Sequence, residues 1–90
     1  MSFNNFGIGG GGGVDITKHA AERWRERVNN GSQLTPQTWL NADPVYAPEA
    51  DCDESRVARI PRGRDMLLCG QHKGNVISVV TVLYFDPDRT

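Results

Sequence analysis

The stretch Val76-Ile-Ser-Val-Val-Thr-Val-Leu-Tyr-Phe85 limits most sharply what this chain can become. It is built from β-branched and aromatic residues, and apolar side chains fall on both of its alternating faces. A strand that is apolar on both sides belongs inside a sheet, with cover above and below. Asp86-Pro87-Asp88 ends it. Ninety residues supply one such core and leave no room for a second.

The strand's cover must come from the segments before it. Thr17 is placed to cap a helix that runs to about Val28, with Ala20, Trp24 and Val28 as its apolar stripe. Asn29-Asn30-Gly31 stops that helix. A second, shorter helix is expected from Thr35 to about Asn41. Thr35 caps it, Pro36 takes its first position, and Trp39-Leu40 pack inward. Asp43-Pro44 then breaks the chain.

Val14-Asp15-Ile16 and Val45-Tyr46-Ala47 are candidates for short strands. Ser55 to Ile60 alternates as a strand, with Val57 and Arg59 on one side and Arg56, Ala58 and Ile60 on the other. Pro61 to Arg64 is a turn, Asp65 to Gln71 a strand, and His72-Lys73-Gly74-Asn75 a hairpin turn. The expected architecture is α+β: two N-terminal helices packed on one face of a three- to four-stranded antiparallel sheet. Residues 1–13 end in five glycines, Gly9 to Gly13, and are expected to be a flexible Gly-rich tail. No Lys-Ser/Thr follows the glycines and no apolar strand precedes them, so they are not a phosphate loop. Residues 14–90 form the single domain.

Charge is unevenly spread. The net charge is −1, yet residues 43–54 carry five acids and no base. Residues 56–73 carry five bases, Arg56, Arg59, Arg62, Arg64 and Lys73, against Asp65. The basic segment suits phosphate, while the overall balance argues against a bulk DNA binder. The acidic segment is either a solvated loop or a cover over the basic face. No run is apolar enough to span a bilayer, and the N-terminus lacks a basic-then-apolar export pattern, so a cytoplasmic protein is expected. Cys52 and Cys69 are read as free thiols of a reducing compartment, with one structural disulfide as the alternative.

His19, Arg23 and Arg27 stand at i, i+4 and i+8 of the first helix, on one stripe. Such a row joins a group that titrates near neutrality to two permanent cations. The competing explanation is a solvated helix face carrying Arg23–Glu26 and Glu22–Arg25 pairs. Trp24 and Trp39 are read as core anchors. Cys69-Gly70-Gln71-His72 has C-x-x-H spacing, which Cys52 or His19 could extend to a zinc set. This is the weaker reading, and no metal or other cofactor is expected.

Ile16-Thr17-Lys18-His19-Ala20-Ala21-Glu22-Arg23, followed by Arg27 and by Val79 to Tyr84, resembles the RelE-like/BECR fold of small metal-independent ribonucleases and toxins. The resemblance covers roughly residues 14–86. It implies a metal-independent endoribonuclease of toxin or effector type, in which the ribose 2′-OH attacks the adjacent phosphate. The partners it implies are RNA (tRNA or mRNA) and an antitoxin or immunity protein, with monomer and dimer both open.

In that chemistry His19 serves as general base or acid, and Arg23 and Arg27 clamp the phosphate. Thr81 orients a catalytic group. Lys18, Arg56, Arg59, Arg62, Arg64 and Tyr84 bind RNA. Alternation puts Thr81 and Tyr84 on opposite faces, and Arg56 and Arg59 likewise, so Thr81 and Arg59 are favoured as the pair that joins the site. The alternative function is a non-catalytic RNA- or protein-binding module of the same fold, of viral or mobile-element origin.

Overall fold

The computed structural model describes residues 13–85. All but the last residue of the expected Gly-rich tail, and residues 86–90, lie outside the described residues. Five strands, β1 (Val14–Ile16), β2 (Asp43–Val45), β3 (Glu54–Ala58), β4 (Met66–Lys73) and β5 (Val76–Tyr84), accompany two helices, α1 (Lys18–Val28) and α2 (Pro36–Asn41). The strands form one sheet in the order β1-β5-β4-β3-β2.

The sheet corrects the expected three- to four-stranded antiparallel one, because it has five strands and is mixed. β1 pairs in parallel with β5, Val14 to Ile16 opposite Ile77 to Val79. The backbone N–H groups of Ile77 and Thr17 extend that ladder to the carbonyls of Gly13 and Val79, at 3.0 and 3.1 Å. At the other edge, Asp43-Pro44 does not break the chain as expected. It lies in β2, with Pro44 opposite Arg56, and an edge strand tolerates a proline because one side of it needs no ladder donor.

Local chemistry explains both helices. The Thr17 hydroxyl accepts from the Ala20 N–H at 3.1 Å and donates to the Val79 carbonyl at 3.0 Å, so one residue caps α1 and ties it to β5. Asn29 closes α1 in the left-handed region at φ 52°. Thr35 and Thr38 cap α2 reciprocally, with Pro36 at the first turn. Leu40, expected to pack inward, is 58% exposed, whereas its neighbour Trp39 is 1% exposed. Adjacent residues lie about 100° apart around a helix, so a helix of barely two turns buries one of them.

Two apolar clusters sandwich the sheet. One joins Ala20 and Trp24 of α1, Leu34 and Trp39 to Ala58, Met66, Leu68, Val79 and Val82. The other joins Val57, Leu67 and Cys69 to Ala47, with Val80 and Leu83 packed against it. Strict alternation would place Val79 and Val82 on opposite faces. A bulge reconciles them: Cys69 pairs with Thr81 but Gly70 with Val79, which leaves Val80 as the extra residue. Gly70 is required where it stands, since a Cβ there would meet the Trp39 ring at 2.8 Å. The hairpin turn is Gly74-Asn75 alone, with Gly74 at φ 63°. His72 and Lys73, expected in the turn, belong to β4.

Candidate nucleic-acid interface

The His19 row lies on α1 as its spacing dictates, and its members meet different fates. Lys18 and His19 are exposed in the first turn. Arg23 pairs with Glu26 at 2.6 Å, one of the two pairs that the solvated-face reading anticipated, whereas among the described residues Glu22 and Arg25 form no such pair. Arg27 reaches the sheet, where its guanidinium donates to the Val82 carbonyl and stands 5.5 Å from the Tyr84 ring centroid. His19 and Arg27 are separated by about 12 Å along the helix axis. That is more than one phosphate group spans.

Tyr84 is the meeting point. The β4–β5 register puts Met66 opposite Tyr84, so the turn before β4 delivers Arg64 to the end of β5. The Arg64 guanidinium stands 4.5 Å from the ring centroid. The Asp65 carbonyl accepts the Phe85 N–H at 3.0 Å and fixes this corner. Tyr84 is 45% exposed. Two cations therefore share one aromatic ring, and among the described residues neither forms an ion pair. Arg62, exposed and at φ 63°, lies in the same turn as Arg64.

The arginines of β3 and its end differ. Arg56 bonds Glu54 through Nε at 2.8 Å and the Trp39 carbonyl through Nη1 at 3.1 Å, and it covers the Trp39 ring at 4.7 Å. Arg59 bridges Asp43 at 3.3 Å and Asp65 at 3.4 Å. Glu54 also meets His72 Nε2 at 3.2 Å, while Asp53 accepts the His72 backbone N–H at 2.9 Å. Burial pushes the Glu54 carboxyl up, but the bonds and charges of Arg56 and His72 outweigh it and hold the group below the usual glutamate range. Two acids of that segment, Glu54 and Asp43, thus neutralise individual arginines.

Thr81 is opposite Cys69, a member of the cluster on the face away from α1. The structure does not bring Thr81 or Arg59 to the α1 row, and Tyr84 takes that place. The bulge lies before Thr81, so Thr81 and Tyr84 stay on opposite faces. Cys69 and His72 also diverge: Cys69 is buried in that second cluster and His72 is held by Glu54. Among the described residues no group of three His, Cys, Asp or Glu side chains gathers as a metal site. Sequence reasoning passed over His72 as a turn residue. The signal that could have placed it is Gly74-Asn75, which suffices as a two-residue turn.

A family model described as "Putative RelE superfamily toxin domain" matches residues 16–86. The chain belongs to this RelE superfamily toxin-domain family. No curated protein and no solved structure matches it. The RelE match begins inside β1 and ends just past Tyr84, so both the α1 row and the Arg27–Tyr84–Arg64 corner fall within it. Among the described residues no helix of this RelE-family domain is long and apolar enough to cross a membrane.

Proposed function

We propose that this toxin-family domain is a metal-independent endoribonuclease acting in the cytoplasm, and that RNA phosphate binds at the Arg27–Tyr84–Arg64 corner. The observation that carries the reading is two guanidiniums on one exposed tyrosine ring, neither of which pairs with a carboxylate among the described residues. In this reaction the ribose 2′-OH attacks the adjacent phosphorus, the bond to the 5′-oxygen breaks, and a 2′,3′-cyclic phosphate forms. A base takes the 2′-OH proton and an acid supplies one to the departing oxygen. Arginine forks stabilise the charge that builds on the equatorial oxygens. Tyr84 offers a hydroxyl donor at the same place. His19 stands two turns away on α1 and faces a neighbouring nucleotide of the same strand.

One observation favours a second reading. His19 and Tyr84 meet opposite ends of α1, and Arg23 between them is already paired with Glu26. A non-catalytic RNA-binding module needs only the arginines. An antitoxin partner suits either reading, with an acidic segment covering Arg27, Arg62 and Arg64.

The test is cleavage of total tRNA and of a structured mRNA in EDTA, with the termini analysed. Discrete fragments ending in 2′,3′-cyclic phosphate, lost in Tyr84→Phe or Arg27→Ala, are the expected result. Loss in His19→Ala as well would show that its contact with the neighbouring nucleotide is needed for cleavage. Binding without cleavage by folded wild-type protein would replace the enzyme reading with the module reading.

A further inference from the structure

The chain has two cysteines, and the fold brings both to one cluster on the face of the sheet away from α1. Cys69 is 1% exposed on β4, opposite Ser55 of β3. Cys52 lies three residues before Ser55, in the bend that leads into β3, and packs against the cluster that holds Cys69. It is half-buried, and its thiol donates to the Glu54 carbonyl at 3.3 Å. Cys52 also lines an open groove with Pro44, Tyr46, Pro48 and Asp53. Burial pushes the Cys69 thiol up to about 12, and the neighbouring Cys52 thiol adds to that effect.

The two thiols are therefore unlike. One is half-buried on an irregular segment that lines the groove. The other is fixed on an interior strand and shielded. Thiol–disulfide exchange uses this division: a reachable thiolate attacks first, and a second thiol close by resolves the mixed disulfide. Both thiols are free in this structure.

We propose that Cys52 and Cys69 form a thiol–disulfide exchange pair, a modification site for low-molecular-weight disulfides such as oxidised glutathione. The Cys52 thiolate attacks one glutathione sulfur, and reduced glutathione leaves. Cys69 then attacks the Cys52 sulfur, its proton passes to the departing glutathione thiolate, and a second reduced glutathione leaves. Two protein thiols have become one disulfide, and one oxidised glutathione has become two reduced ones. The bond pins the segment that carries Asp53 and Glu54, and with it their hold on His72 and Arg56. It lies on the face away from Arg27, so it stands apart from the RNA reading and is tested without any activity.

The experiment incubates the folded, fully reduced chain with oxidised glutathione, traps remaining thiols by alkylation, and maps peptides by mass spectrometry. Expected for wild type is a transient adduct of one glutathione on Cys52, followed by an intramolecular Cys52–Cys69 disulfide in a monomer. Cys69→Ala should stop at the Cys52 adduct. Cys52→Ala should leave Cys69 unmodified as long as circular dichroism reports a native fold. The proposal is overturned if folded wild-type protein keeps both thiols, stops permanently at the Cys52 adduct, or forms only disulfides between chains.

Discussion

The arginines of the sheet and those at the end of β5 answer the same composition in opposite ways. Arg56 and Arg59 carry as much charge as Arg27 and Arg64, but each of the first two is matched by a carboxylate. Arg56 does structural work: it spans Glu54, the Trp39 carbonyl and the Trp39 ring, and so locks α2 to β3. Arg27 and Arg64 rest on Tyr84 with their charge uncompensated among the described residues. Basic residues do not by themselves make a phosphate site. What counts is which of them the fold sets on an exposed aromatic ring without an acid, and among the described residues that is the corner where α1, the β3–β4 turn and β5 end.

Four substitutions or titrations break or sharpen this contrast. Trp39→Ala removes the ring that Arg56 and Gly70 pack on, and should cost ~3–5 kcal/mol in denaturant unfolding. Arg56→Ala leaves Glu54 with one partner fewer and should cost ~1–3 kcal/mol, while leaving RNA binding unchanged. Arg59→Ala, at an exposed bridge, should cost under ~1 kcal/mol in the same measurement. The smallest effect is a pH dependence. Glu54 titrates lower in the folded chain than in the unfolded one, so its contribution is complete above the unfolded value of about 4.3 and is lost as pH falls through the folded value. Acid unfolding curves should therefore show wild type losing more stability than Glu54→Gln over that window.

Much of the fold was legible because its signals are local. Thr17, Thr35 and Pro36 mark helix starts through groups within four residues, and each cap is where the sequence put it. The ends and edges were not legible. Val14–Ile16 finds its parallel partner more than sixty residues away, and no local pattern encodes that pairing. Pro44 reads as a breaker because the rule assumes a ladder on both sides, which an edge strand lacks. The bulge at Val80 leaves no mark in a run of uniformly good strand formers, yet it decides which of Val79 to Leu83 face α1. For the candidate site, the α1 row was readable from helical spacing. The choice of Tyr84 over Thr81, and the neutralisation of Arg56 and Arg59, depend on register and on carboxylates brought in by tertiary structure.

The most direct test of the contrast is the salt dependence of binding to a single-stranded RNA. Each phosphate contact contributes about 0.7 to the slope of log affinity against log salt concentration. Replacing Arg27 and Arg64 together with alanine should flatten the slope by about 1.4, while Arg59→Ala leaves it unchanged. An unaltered slope in the double variant, or an equal loss in Arg59→Ala, would contradict the assignment of phosphate binding to the Tyr84 corner.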